Sequence, residues 1–300
     1  MRQGGENNER KLWSEHPYAG ERKPPSEGVT PYAGSWPLIF LKRDSDGHFL
    51  DPNYKKIVLP IKDPHYIDFH RELKIVQRTL NNLTPQQKKI GIYYGTGVPT
   101  KQWTPVIDKL IDTYGVGPTQ AARILAVVQG AINDSMVVTW HLKYLWDAAR
   151  PNQYDQTLET LLCTPRFPAY PSGHAVMTGC AEVMLTYFFP KEAGKIKRIS
   201  KEDAISRLYA GVHFPSDNDE GLRLGRHIGK VIVSHLKRQS DERGQILDLS
   251  DSKYRNANIL SEDYQQAIPF DFNERCLSLT RDADVVVKKN TEAAKPYLKF

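Results

Sequence analysis

Cysteine is scarce, with 3 among 300 residues. Cys163, Cys180 and Cys276 form an odd number without metal-ligand spacing. This argues against a zinc site and a disulfide framework, and leads us to expect buried thiols in a reducing compartment. Long apolar runs are also missing: no segment approaches the roughly 20 residues needed to span a bilayer. The opening stretch Met1-Arg2-Gln3-Gly4-Gly5-Glu6-Asn7 lacks the apolar centre of a secretory signal. A soluble, cytoplasmic protein with no membrane span is therefore expected. Blocks of like charge are absent as well. The net charge is +6, but Lys and Arg are dispersed, which disfavours a nucleic-acid partner and suits small anions.

What is present falls into three stretches. Residues 1–64 are rich in Pro, Gly and aromatics and contain Pro-Tyr-Ala-Gly twice, at Pro17 and at Pro31. Two short copies do not make a repeat architecture. Strand-like composition at 38–41 and 57–59 flanks Asp44-Ser45-Asp46-Gly47. That string lacks the Glu a calcium loop needs, so it reads as a turn. This stretch is expected to be an irregular arm with a small hairpin, packed on the core.

Residues 65–240 carry apolar residues three and four apart, which predicts helices over 68–83, 84–94, 104–114, 119–148, 173–188, 201–212 and 218–236. The fold class expected is mainly α, a helical bundle holding the catalytic residues. Gly221, Gly225 and Gly229 line one side of the last helix, where another backbone can approach closely. Arg223, Arg226, His227 and Lys230 interrupt any membrane span there, so the stripe predicts intramolecular packing. Residues 241–300 are polar and weakly periodic, and read as a wrapping or partly disordered tail.

Chemistry is concentrated in three segments. The first runs from Trp140 to Pro151 and carries Lys143 and Arg150; taken alone, it reads more readily as a solvated cationic face complementing a helix dipole than as a site. In the second, Phe167-Pro-Ala-Tyr-Pro-Ser-Gly-His174, Ser172 is a fitting N-cap and Gly173 lets an anion approach free N–H groups at a helix start. His174 then falls in the first turn. The third segment contains Arg207, suited to fork onto two anion oxygens, and His213. Asp217 is spaced either to orient His213 through Nδ1 or to cap the next helix.

Together these segments spell K-x6-R-P, then P-S-G-H, then S-R-x5-H-x3-D. This pattern resembles that of type 2 phosphatidate phosphatases, bacterial acid phosphatases and vanadium-dependent haloperoxidases, and the likeness extends over about residues 117–230. The resemblance implies that Lys143, Arg150 and Arg207 neutralise a bound oxyanion while Ser172 and Gly173 donate to it. It further implies that His213 binds the central atom axially, as nucleophile or as vanadium ligand, and that His174 works opposite as acid and base.

Within the resemblance, Trp140 and Phe167 stand where chloroperoxidases place aromatics around the halide, and Asp134 and the string F-P-A-Y-P-S-G-H-A look like that branch too. As residues alone, these aromatics read equally as core. The expectation put first is a haloperoxidase-like enzyme that binds vanadate and takes hydrogen peroxide and halide. The alternative is a soluble acid phosphatase acting on a phosphate ester through a phosphohistidine, without cofactor. A third reading, a non-catalytic oxyanion-binding protein, is disfavoured because binding alone needs neither histidine. No divalent metal is expected, since three cations already supply the charge neutralisation. Assembly into a homo-oligomer stays open.

Overall fold

Capping residues set the frame of the helical core. Asp68 accepts from the Arg71 N–H at the head of α1 (Phe69–Asn81), and Thr84 and Gln87 cap each other's backbone at the head of α2 (Pro85–Gly95), satisfying N–H groups that a helix start leaves open. Helix α3 (Trp103–Tyr114) stops at Gly115, whose φ of 59° is left-handed. Proline at the first position then begins α4 (Pro118–Trp146), the four-residue α5 (Pro151–Tyr154) and α8 (Pro215–Leu236), where its missing N–H is harmless. Between them lie α6 (Gly173–Phe188) and α7 (Ala193–Tyr209). The computed structural model describes residues 10–248, 253–268 and 276–281.

Helix α6 is the centre of the bundle and packs on α4, α7 and α8. Its Val176, Met177, Cys180, Ala181 and Met184 are buried together with Val128 and Ala131 of α4 and Ile228 and Ile232 of α8. The glycine stripe does pack within the molecule. A Cβ at Gly225 would collide with the Val176 carbonyl, and one at Gly179 would lie 2.7 Å from the Leu222 carbonyl oxygen. This close approach ties the start of α8 to the start of α6, where the chemistry lies.

Several local expectations are corrected. The helix expected from 201 begins at Ala193: Ile196 and Ile199 are buried, and the surrounding Lys195, Lys197 and Arg198 hide their spacing. The helix expected to reach 148 stops at Trp146, because Asp147 turns left-handed with φ 47°. The hairpin forms, but its strands are β1 (Lys42–Arg43) and β2 (Phe49–Leu50), antiparallel with Lys42 opposite Leu50. The tight turn decides this, with Asp44 Oδ1 accepting from the N–H groups of Asp46 and His48. Leu41 goes instead into the core.

The cysteine expectation is overturned. Cys163 and Cys276 form a disulfide across a sequence separation of 113, leaving only Cys180 as a buried thiol. No spacing rule reveals such a pair, because Cys276 is brought alongside by the C-terminal segment: Thr160 and Thr280 form a bridge, and Leu279 N–H donates to the Ala19 carbonyl. Disulfides persist in oxidising surroundings, so the argument for a reducing compartment falls. One helix bears on the expectation about membrane spans without overturning it. By length and composition α4 could cross a bilayer, although 56% of its most apolar window is buried inside the protein.

The described part of the tail wraps the core, with Ala257 and Ile259 buried in it; the remainder of that expectation lies outside the described residues. The N-terminal arm is held at one point above all. Asp134, fully buried in α4, accepts from the backbone N–H groups of Ile39, Phe40 and Leu41 at 2.7, 2.8 and 2.8 Å.

Candidate active site

Helix termini meet at one end of the bundle. Lys143, in the last turn of α4, is fully buried, and its Nζ donates to the Pro168 and Ala169 carbonyls at 2.7 Å each. An ammonium has three donors, so one remains. Beyond the left-handed Asp147 the chain runs extended through Arg150, ψ 159°. Arg150 is therefore not a helical residue, and its guanidinium turns inward. Nε donates to the Phe167 carbonyl at 3.0 Å, and Nη1 faces the Val212 carbonyl at 2.8 Å and His213 Nε2 at 2.9 Å. Nη2 is buried without a partner among the described residues.

Ser172 caps α6, its hydroxyl accepting from the Ala175 N–H, and Gly173 and His174 open the first turn. The Ser172 N–H donates to the Asp217 carbonyl at 2.9 Å, which joins the two helix starts. Gly173 keeps the approach open: a Cβ there would sit 3.9 Å from Lys143 Cε and 3.6 Å from Trp140 Cζ3. Arg207 closes the opposite side from the last turn of α7. It is buried, and its Nε and Nη1 lack partners among the described residues.

His213 sits in the short link between α7 and α8. Gly211, with φ 75°, makes the turn, and a side chain there would strike Leu80. Asp217 performs both roles left open by the sequence, since its Oδ2 accepts from the Phe214 N–H at 3.0 Å and meets His213 Nδ1 at 2.8 Å. Arginine can only donate. The Arg150 contact therefore makes Nε2 the acceptor and leaves the proton on Nδ1, bonded to Asp217. His174 has the opposite tautomer, because the Tyr94 carbonyl, 3.0 Å from Nε2, can only accept.

Electrostatics follow from burial and from like charges packed together. Burial, then Arg150, holds the Lys143 ammonium well below its usual range. Burial lowers Arg150, and it brings Arg207 down to about 10 against the pull of Asp203. His213 is kept well below 6.5 by burial and then by Arg150, Lys143 and Arg207; His174 is kept below 6.5 by burial and then by Arg207. Burial pushes Asp217 up to about 7. A buried cluster of cations that carries unmatched N–H donors suits a multiply charged oxyanion, which would satisfy the donors and offset the charge.

Lys143, Arg150, Ser172, Gly173, His174, Arg207, His213 and Asp217 thus come together. Trp140 and Phe167 lie beside them, ring centroids 5.0 Å apart, with Phe167 under Lys143 Nζ at 5.1 Å and under Arg150 Cζ at 4.9 Å. The sequence reading missed two contributors. Asp203, one turn before Arg207, is buried and pushed up to about 8 by burial, with Arg207 opposing; a carboxylate four residues before a site arginine was a usable signal. Tyr94 acts through its carbonyl, which leaves no mark in a sequence.

A model of the PAP2 superfamily matches residues 122–241. An undecaprenyl-diphosphatase of Sulfolobus acidocaldarius is 30% identical over 162 residues, 52% of this chain and 70% of that protein. A bacterial vanadium-dependent iodoperoxidase superposes with a TM-score of 0.60 at 21% identity, over 79% of this chain and 62% of that one. The holo form of a bacterial vanadium-dependent chloroperoxidase gives 0.54 at 15% identity, over 74% of this chain and 58% of that one. The chain thus spans less than two thirds of either peroxidase, and at these identities the likeness is one of fold. With the motif residues gathered in one cluster and the diphosphatase matched over most of its length, the chain belongs to the PAP2 superfamily, which includes phosphatases and haloperoxidases.

Proposed function

We propose that the protein is a phosphohydrolase that works through a phosphohistidine at His213. The observation that carries this reading is the Arg150 donation to His213 Nε2, which marks a lone pair held toward guanidinium groups that keep unpartnered N–H donors among the described residues. A phosphoryl group would displace that contact. Its oxygens would take donors from Lys143, Arg150, Arg207, the Ser172 hydroxyl and the Gly173 N–H, which spread the charge of the transition state. Nε2 attacks phosphorus as the ester or anhydride oxygen departs, and that oxygen takes a proton from His174. Asp217 stabilises the positive charge that develops on His213.

The Tyr94 carbonyl holds His174 through Nε2–H, so Nδ1 is the atom that exchanges protons. Neutral again after the first step, His174 takes a proton from water as that water attacks the phosphohistidine, which releases phosphate and restores both rings. The relation to a diphosphatase supports placing this reading ahead of the peroxidase favoured by the motif flanks. Mixing the protein with a phosphate ester and quenching in base should trap an acid-labile phosphoenzyme. His213→Ala should abolish it and lower turnover by about 10⁴-fold or more. Turnover that persists in that variant would remove the proposal.

Trp140 and Phe167, beside the cations, favour one second reading. The same unmatched donors fit vanadate, which Lys143, Arg150, Ser172, Gly173 and Arg207 would hold against His213. Vanadate would supply the oxidising chemistry toward peroxide and halide, while the chain's own part would be to orient it and to manage protons through His174. Protein incubated with orthovanadate would be assayed for peroxide-dependent bromination. Bromination would put the peroxidase first; vanadate inhibition of ester hydrolysis without bromination supports the phosphohydrolase.

A further inference from the structure

The two Pro-Tyr-Ala-Gly copies in the arm behave differently. Tyr18 of the first is fully buried, whereas Tyr32 of the second is 81% exposed. Tyr32 stands at the mouth of a cavity of about 280 Å³ between the arm and α4, whose walls include Pro31, Trp140, His141, Tyr144 and Leu145. Leu145 is also an exposed apolar group, at 63%. From these observations we infer a binding site for a compact apolar substituent of ring size, carried by the molecule whose phosphoryl group occupies the cationic pocket. The inference rests on the oxyanion reading above and adds a substrate class to it.

The chemistry of the walls makes the occupant apolar. Trp140 Nε1 and the Tyr144 hydroxyl both donate to the Val29 carbonyl, at 3.1 and 3.2 Å. Arg43 donates to the Gly34 and Gly47 carbonyls and stacks on Phe49 with Cζ 4.3 Å from the centroid. The Ser35 hydroxyl donates to the Tyr32 carbonyl, and burial, then Arg43, keeps the His141 ring toward its neutral form. With the polar groups of Trp140, Tyr144, Arg43 and Ser35 engaged within the protein, ring faces and the Leu145 methyl groups make up most of the wall left to meet a ligand. An apolar cavity of roughly 150 Å³ accepts one benzene molecule, so the volume is sufficient.

Position couples this cavity to the cations. Trp140 is shared: its indole lines the cavity, while its Cζ3 edge lies against Gly173 at the anion-binding helix start. Phe167 continues the apolar path to Lys143 and Arg150. A ring bonded directly to phosphorus, or through one oxygen, would therefore have an apolar wall to lie along.

Phenylphosphonate and methylphosphonate share an anionic head, and their P–C bonds resist hydrolysis. Calorimetric titration of the full chain should give phenylphosphonate at least tenfold tighter than methylphosphonate. In Tyr32→Ala and in Leu145→Asn that preference should fall about threefold or more with methylphosphonate affinity held; both positions are exposed, so folding is not at stake. A preference near one in the native protein, or one unchanged in both variants, would overturn the inference and leave the oxyanion reading standing. If neither phosphonate binds, the oxyanion reading itself fails and the inference falls with it.

Discussion

Asp134 and the pair Arg150 and Arg207 are all buried charges, yet the protein treats them in opposite ways. Around Asp134 the arm supplies the N–H groups of Ile39, Phe40 and Leu41, and Asn133 Nδ2 adds a contact at 3.2 Å. Around the arginines, Nη2 of Arg150 and Nε and Nη1 of Arg207 have no partner among the described residues. A satisfied buried charge fixes one element on another. An unsatisfied one leaves donors that the protein itself does not meet and that an oxyanion can. The first region is built for stability, the second for function, and substitution should separate them.

The largest contrast is expected from Arg207→Met. Loss of one preorganised donor typically costs about 10²–10³ in kcat, so ester hydrolysis should fall by that much. The melting temperature of the anion-free protein should hold or rise, because a buried charge with unmet N–H donors is removed and Asp203, pushed up to about 8 by burial, can stay neutral without it. Phosphate at about 100 times its Kd should stabilise the native protein by about 2.7 kcal/mol, and the variant by much less. A variant that melts several degrees lower in the absence of anion would show that Arg207 serves the fold.

Asp134→Ala should give the reverse pattern. Three N–H groups lose their acceptor, at about 1–3 kcal/mol each where they stay buried, although release of the arm to water limits the total to about 3 kcal/mol. Calorimetry should show a lower melting temperature, while kcat per folded molecule stays within about twofold. If hydrolysis fell as steeply as for Arg207→Met, Asp134 would belong to the chemistry.

Much of this contrast was legible in the sequence, for physical reasons that differ by element. The helix from Gly173 to Phe188 was readable end to end because Ser172 caps it and a Phe-Pro step closes it. The site cations and histidines were readable because their spacing is dictated by helix ends that must meet at one anion. Asp134 was noticed only as part of a resemblance; its partners are backbone N–H groups far away in sequence, and those carry no signature. The Cys163–Cys276 bond stayed hidden for the same reason, since long-range pairing leaves no local pattern. The start of α7 was hidden by surface lysines around Ile196 and Ile199.

The smallest effect sharpens the comparison most, because it reads the cationic field directly. The proposed mechanism needs His213 neutral and His174 protonated. Both are held below 6.5 in the anion-free protein, by burial first and by the neighbouring cations after it. Since kcat/KM reports groups of the free enzyme, its rising limb, set by His213, and its falling limb, set by His174, should both lie below 6.5. A bound phosphate ester brings negative charge that favours both imidazolium forms, so the kcat profile should lie at higher pH than the kcat/KM profile. The same shifts make protonation of either ring harder in the folded than in the unfolded chain. Their contribution to stability is thus present above 6.5 and lost as pH falls through the folded-state values. Among the charges acting on His174, Arg207 is the leading one. Arg207→Met should therefore move the falling limb of kcat/KM upward. A limb that stayed in place or moved down would mean that His174 does not feel the cations around it, and the division between satisfied and unsatisfied charge would lose its catalytic meaning.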